Sequence, residues 1–116
     1  MIRIERLSKA FGAKETIREI SLKIRKGEIF TFIGPSGSGK TTLIRLIDLL
    51  DTPTSGQIFF DGINTSASEN ERRAIRRRMG LVFQKPAVLN TTVAQNIAFG
   101  LKFRGVPEAE TKAISD

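Results

Sequence analysis

The chain has 116 residues and a formal charge of +7, from 19 Lys and Arg against 12 Asp and Glu. It contains no cysteine and no histidine, which excludes disulfides, thiolate metal sites and the commonest general base. The length suits one domain or part of one. No apolar run approaches membrane-spanning length and the first residues do not read as a signal peptide, so a cytoplasmic protein is expected.

Residues 2 to 7 and 17 to 25 alternate as strands do, with Ile2 and Ile4 on one side of the first and Ile20, Leu22 and Ile24 on one side of the second. The stretch Ala10 to Lys14 joins them, predicting an antiparallel pair. Lys26-Gly27-Glu28 turns the chain into Ile29-Phe30-Thr31-Phe32-Ile33, an apolar run that predicts a strand buried on both faces. From Thr41 to Leu50 the spacing is helical, with Leu43, Ile44, Ile47 and Leu50 in one stripe widened by Leu46 and Leu49. Thr52 to Gly56 ends that helix, Gln57 to Phe60 predicts a short strand, and Asp61-Gly62 is a tight-turn dipeptide. Residues 69 to 78 predict a densely basic helix with Ala74 and Ile75 on its apolar side. Met79 to Phe83 predicts a second short apolar strand ending at Gln84. Lys85 to Asn90 reads as loop, with Pro86 barring regular structure. Thr92-Val93-Ala94-Gln95 is a capping box opening a helix whose Val93, Ala94, Ile97, Ala98 and Leu101 share a face. Gly105 breaks it, and Pro107 with Glu108 and Glu110 starts another.

Between the strand at 29–33 and the helix from Thr41 lies Gly34-Pro35-Ser36-Gly37-Ser38-Gly39-Lys40-Thr41. Strand, glycine-rich loop and helix together are the context that makes G-x-x-x-x-G-K-[ST] a phosphate-binding loop. The glycines let successive N–H groups converge on phosphate oxygens, and the helix adds its open amides and the positive end of its dipole. Lys40 would reach the β- and γ-phosphates and the Thr41 hydroxyl would bind Mg²⁺, with Thr42 behind it in the first turn. The plain alternative is a glycine-rich turn with an incidental lysine. Chance gives this pattern in roughly a few chains per thousand of this length, and the flanking strand and helix lower that further.

Leu7 to Gly12, the phosphate loop, Ser55 to Gly62, Met79 to Gln84 and Thr92 to Ile97, in that order, resemble the ATP-binding cassette of ABC transporters, particularly the importer type. The resemblance spans nearly the whole chain but about the first half of that family's domain. It implies an α/β fold: a P-loop NTPase core with an N-terminal antiparallel β subdomain, the remaining parallel strands lying beyond these motifs. On that basis residues 1–66 would hold the antiparallel strands and phosphate loop. Residues 67–116 would hold the basic helix, the glutamine strand and the start of a helical subdomain. The apolar flanks of strand 29–33 would be partly exposed.

Residue by residue, the resemblance implies that Phe11 stacks on adenine, where the family more often has tyrosine; otherwise Phe11 covers the hairpin's end. It implies that Gln84 closes on Mg²⁺ and the attacking water and couples the site to a membrane subunit; otherwise Gln84 is an idle strand-end residue. Lys85 to Asn90 would receive a helix of that membrane subunit. A second ATP-binding subunit, ATP and Mg²⁺ are the remaining partners implied, and the location is peripheral on the cytoplasmic face of the membrane. Asp61, after Ile58-Phe59-Phe60, imitates the strand-end acid that holds Mg²⁺ in P-loop enzymes. The imitation is poor, because the strand is short and a glycine follows.

The family's serine-glycine-glycine-glutamine signature, its Asp-Glu pair and its switch histidine do not occur in these residues. Nucleotide binding without turnover is therefore expected of them. A competing reading is a nucleic-acid-associated ABC-type ATPase, resting on Arg72, Arg73, Arg76, Arg77 and Arg78. Those five wrap round more than one helix face with no aromatics between them, so no nucleic-acid partner is expected. A P-loop kinase or small GTPase would show a base-specificity motif or an acceptor lid, and neither is found.

Overall fold

The computed structural model describes residues 1–85 and 87–115; Pro86 and Asp116 lie outside the described residues, and so does the side chain of Ser115. The elements run β1 (Ile2–Phe11), β2 (Lys14–Ile24), α1 (Lys40–Ile47), β3 (Ser55–Phe60), β4 (Ile63–Asn64), α2 (Glu69–Arg76), α3 (Val93–Phe103) and α4 (Glu108–Ser115). They group into two compact units, Met1–Gly80 and Leu81–Asp116.

In the first unit four strands form an antiparallel sheet in the order β2-β1-β3-β4. The pairing of β1 with β2 is the one the alternation predicts, and both strands run further than expected, to a two-residue turn at Gly12-Ala13. Regular alternation fails at Arg6 and Glu19, whose φ angles are 43° and 42°. This bulge shifts the register after Ile4, so that Ile4 and Leu7, three positions apart, both point into the core. Ile4, Leu7, Ile17 and Ile58 from the sheet close on Leu43 and Leu46 of α1. Burying each of these aliphatic side chains is worth about 1.5–3 kcal/mol.

Three expectations need correction. The strands predicted at Ile29–Ile33 and Met79–Phe83 do not form. A parallel strand takes its hydrogen bonds from neighbours on either side, and neither segment has a ladder partner among the described residues. Ile29 and Ile33 are accordingly 95% and 94% exposed, and Val82 is 94% exposed. Only Phe32 of the first segment packs on the core. The helix from the phosphate loop is also shorter than its spacing suggests and ends at Ile47. Its buried line is Leu43 and Leu46, continued by Leu49 beyond the helix end, whereas Ile44 and Leu50 are exposed. Leu49 takes a left-handed φ of 58°. Its side chain is buried and its carbonyl accepts from Arg72 and Arg76 at 3.2 Å each, which holds a leucine where glycine is usual.

Those two bonds bind α2 to the end of α1. Ser68 caps α2 through the Glu71 N–H, and Ile75 is its buried residue, while Ala74 is exposed. In the second unit the capping box forms as read: Thr92 Oγ1 accepts from the Gln95 N–H and Gln95 Oε1 from the Thr92 N–H, both at 3.2 Å. Ala98 is the buried residue of α3, against α4, while Val93 and Ile97 are exposed. Gly105, at φ 79°, ends α3 where the sequence places the break.

Asp61-Gly62 makes the turn between β3 and β4 with both φ angles positive, 49° and 85°, as a type I′ hairpin requires. The Asp61 carboxylate is clasped from two sides, by the N-terminal ammonium at 2.6 Å and by Arg78 at 2.7 Å. Hydrogen bonds from these two cations, the terminal ammonium first, hold its pKa below the usual carboxylate value. Asp61 is thus a structural residue that ties Met1 to Arg78, just beyond α2.

Two outcomes follow from this packing. A methyl at Gly56, which has φ 84°, would run into the backbone of Arg6 and Leu7, whereas one at Gly62 would meet open space. Gly56→Ala should therefore lower stability by about 2 kcal/mol or more, and Gly62→Ala by roughly 1 kcal/mol. Thermal unfolding of both variants checks this; equal losses would mean that the close approach at Gly56 does not matter. For Asp61, a depressed folded pKa means that its contribution is present above about pH 4 and lost as pH falls through the folded value. The acid limb of the unfolding profile should be shallower in Asp61→Asn, with no added pH dependence above neutrality.

Candidate functional site

The phosphate loop follows Ile33 and runs into α1. Gly37 and Gly39 have φ angles of 78° and 92°, so both positions use the left-handed region that glycine alone enters freely. Gly34 is packed instead: a Cβ there would come 2.9 Å from Ser38 Oγ. At Gly39 a Cβ would come 2.9 Å from the Thr16 carbonyl and 3.0 Å from Ile17 Cδ1. The end of the loop therefore lies on the backbone of β2.

Gly39 is the N-cap of α1 and contributes no side-chain cap, and the first helical bond is Leu43 N–H to the Gly39 carbonyl at 2.8 Å. By helix geometry the N–H groups of Lys40, Thr41 and Thr42 then point out of the helix end. Lys40 curls back over the loop, its ammonium donating to the carbonyls of Gly34 at 2.6 Å and Pro35 at 2.7 Å and to Ser38 Oγ at 3.2 Å. One cation thus stands over a loop that begins at Gly34 and ends in open amides. Pro35, Ser36, Gly37, Ser38 and Thr41 are exposed, and Thr42 is half-buried. This arrangement suits a polyphosphate chemically: amides and an ammonium donate, and no carboxylate side chain belongs to the loop.

Phe11 stands at the end of β1, paired with Lys14, and is 53% exposed. Thr16, on which Gly39 packs, is two residues from Lys14 along β2. At about 3.3 Å per residue, the loop's contact on the strand is roughly 7 Å from the partner of Phe11. The hairpin tip and the phosphate loop are therefore neighbours, as one ligand with a base and a phosphate tail would need.

Gln84 belongs to the second unit and is exposed. The loop after it contains Pro86, which is outside the described residues, and exposes Val88 and Leu89. Asn96 of α3 ties this loop down, accepting from the Leu89 N–H at 2.8 Å and donating to the Leu89 and Thr92 carbonyls at 3.1 and 3.0 Å. Sequence reasoning missed Asn96, because one asparagine in a helix has no distinguishing pattern. It also missed Lys9, whose ammonium lies over the Phe11 ring; the signal available was their spacing of two on a strand.

Of the five arginines at 72–78, Arg72, Arg76 and Arg78 are engaged within the protein. Besides Arg72 and Arg76 on the Leu49 carbonyl, Arg76 binds Glu69 at 2.7 Å and Arg78 lies 4.8 Å over the Phe60 ring while holding Asp61. Asp48, at the end of α1, has its pKa raised by burial, with Arg76 opposing the shift.

A family model described as ABC transporter matches residues 17–115. The chain is 46% identical over 117 residues to the methionine import ATP-binding protein MetN of Caulobacter vibrioides, covering 97% of this chain and 35% of that protein. It is 44% identical over 113 residues to the sulfate/thiosulfate import ATP-binding protein CysA of Gloeobacter violaceus, covering 97% of this chain and 32% of that protein. A solved dimeric ATP-binding cassette in a post-hydrolysis state, bound to ADP and phosphate, superposes with a TM-score of 0.86 at 30% identity, over 99% of this chain and 54% of that one. The chain thus spans about a third of the length of the curated relatives it matches. With a phosphate loop seated on an antiparallel sheet and a family match over most of its residues, the chain belongs to the ABC transporter family, as part of an ATP-binding cassette.

Proposed function

We propose that this chain binds Mg-ATP as the front part of an importer's ATP-binding subunit. The observation that supports this most is Lys40, held on the Gly34 and Pro35 carbonyls beside the open amides of α1. A lysine so placed can exchange its carbonyl partners for the β- and γ-phosphate oxygens, whose full charges attract an ammonium more strongly. Gly34, Pro35, Ser36, Gly37, Ser38 and Gly39 supply the backbone cradle and Thr41 and Thr42 the first helical turn. Phe11 offers a face for adenine. Among the described residues no group of three or more Asp or Glu side chains is placed to hold a metal. The phosphate-loop motif assigns Mg²⁺ to the Thr41 hydroxyl, and the family resemblance assigns a role at the metal to Gln84. The nucleotide would supply the phosphoanhydride bond whose cleavage drives transport.

In this reading, residues 1–66 carry the antiparallel strands and the phosphate loop, and residues 67–116 the basic helix, the glutamine segment and the start of a helical subdomain, with Gln84 positioning water and the stretch Lys85 to Asn90 meeting a membrane subunit. A second ATP-binding subunit would complete the site. The subunit would work as a peripheral protein on the cytoplasmic face of the membrane, importing a solute chosen by other subunits. Among the described residues no helix is long and apolar enough to cross a membrane. A nucleic-acid partner is disfavoured because Arg72, Arg76 and Arg78 already hold groups of the protein itself.

Calorimetric titration with Mg-ATP tests the binding reading. Lys40→Ala should abolish measurable binding while leaving the circular dichroism spectrum unchanged; unchanged affinity would remove the phosphate-loop assignment. Steady-state phosphate release tests the second expectation, that these 116 residues bind without turning over, since they contain neither signature nor Asp-Glu pair. Turnover that disappears in Lys40→Ala would show that another residue supplies the acid.

A further inference from the structure

We propose that Lys9 is a positioning residue for the base, so that the adenine platform is a lysine–phenylalanine pair rather than a single ring. The proposal rests on the nucleotide-binding reading above. Lys9 and Phe11 are two residues apart near the end of β1. The Lys9 ammonium lies 4.9 Å from the centroid of the Phe11 ring. It is also tethered, donating a 2.7 Å hydrogen bond to the Thr52 carbonyl.

The tether belongs to a wider attachment of the strand end. Thr54 N–H donates to the Ser8 carbonyl at 2.9 Å, and Thr54 Oγ1 accepts from the Ala10 N–H at 3.0 Å. The segment after α1 thus grips Ser8, Lys9 and Ala10 in succession, immediately before the aromatic ring. That segment follows the same helix whose other end carries the phosphate loop. The ring and the loop are therefore referenced to one body, through Lys9 at one end and Gly39 at the other.

Two physical effects make this matter for a base. A cation over one face withdraws electron density from the ring, which suits the opposite face to a purine's π surface. A ring already held on one side loses less freedom when a base stacks on the other. Phe11 is 53% exposed, so surface remains for that base. A bare charge attracting phosphate is the rival role for Lys9. It predicts an effect on any polyphosphate, with or without a base.

The experiment compares Mg-ATP with Mg-tripolyphosphate, which has no base, by calorimetry on the whole 116-residue chain. Lys9→Met should raise the Kd for ATP about two- to fivefold, the size of an exposed cation–π contact, and leave tripolyphosphate unchanged. Lys9→Arg keeps a cation over the ring and should restore ATP affinity. Lys9→Gln, which keeps a donor for the Thr52 carbonyl without the charge, serves if Lys9→Met does not fold, and should show the same ATP-selective loss. In a Phe11→Leu background the loss from Lys9→Met should vanish. Equal weakening of ATP and tripolyphosphate, no weakening of ATP, or an undiminished loss without Phe11 would each overturn the proposal. If Phe11→Leu alone leaves ATP affinity intact, the stacking role of Phe11 falls and this inference with it. The Lys40→Ala titration decides phosphate binding independently of that result.

Discussion

The close approach of Gly39 to the Thr16 carbonyl joins three parts of the first unit at one point: the β1–β2 hairpin, the phosphate loop and α1. Two backbones can come that near only where no Cβ intervenes, and the left-handed φ of 92° at Gly39 directs the chain into the helix at the same place. The consequences run outward from there. Leu43 and Leu46 come down on Ile4, Leu7, Ile17 and Ile58. The first-turn amides face away from the core, and the hairpin tip with Phe11 stands beside the loop. Core packing and the site therefore share this contact.

The far end of α1 is fixed by charge. A helix C-terminus carries a partial negative charge and carbonyls that lack intrahelical donors. Here the Leu49 carbonyl, just beyond the helix, receives two guanidinium groups from α2. Hydrogen bonds to charged groups contribute about 1.5–3 kcal/mol when well shielded, and less at partly exposed positions such as these. Arg45 adds a bond to Asp51 at 2.8 Å, which lowers the Asp51 pKa, helped by the nearby charge of Lys9. Much of a surplus of positive charge that could be read as a nucleic-acid surface is used in this way to hold helices and a turn together.

The segments Ile29–Ile33 and Met79–Phe83 have strand composition without strand structure. Backbone groups in a parallel sheet find partners only on neighbouring strands. Without such neighbours among the described residues, the apolar side chains of Ile29, Ile33 and Val82 face solvent almost completely. Exposed apolar surface of this kind favours association with whatever can cover it. The first segment stays attached to the sheet through Phe32, whose ring lies 5.2 Å from that of Phe30.

Features with short-range chemical causes were legible in the residues alone. The spacing of glycines before Lys40-Thr41, the Asp61-Gly62 turn, the Thr92–Gln95 capping box and the break at Gly105 all have short-range causes, and each is found in its expected place. The ordered motifs likewise made the family legible. Features that join residues far apart in the chain emerged only on folding. Regular alternation could not foresee a bulge at Arg6, because the bulge answers to Glu19 and Gly56 on the neighbouring strands. Helical spacing could not choose between Leu46 and Ile44 as the buried residue, because that choice depends on where the sheet lies. An apolar run could not say whether neighbours would be there to make it a strand. The partners of Lys9, Arg72 and Arg76 are 43, 23 and 27 positions away, and no pattern in a sequence window reaches so far.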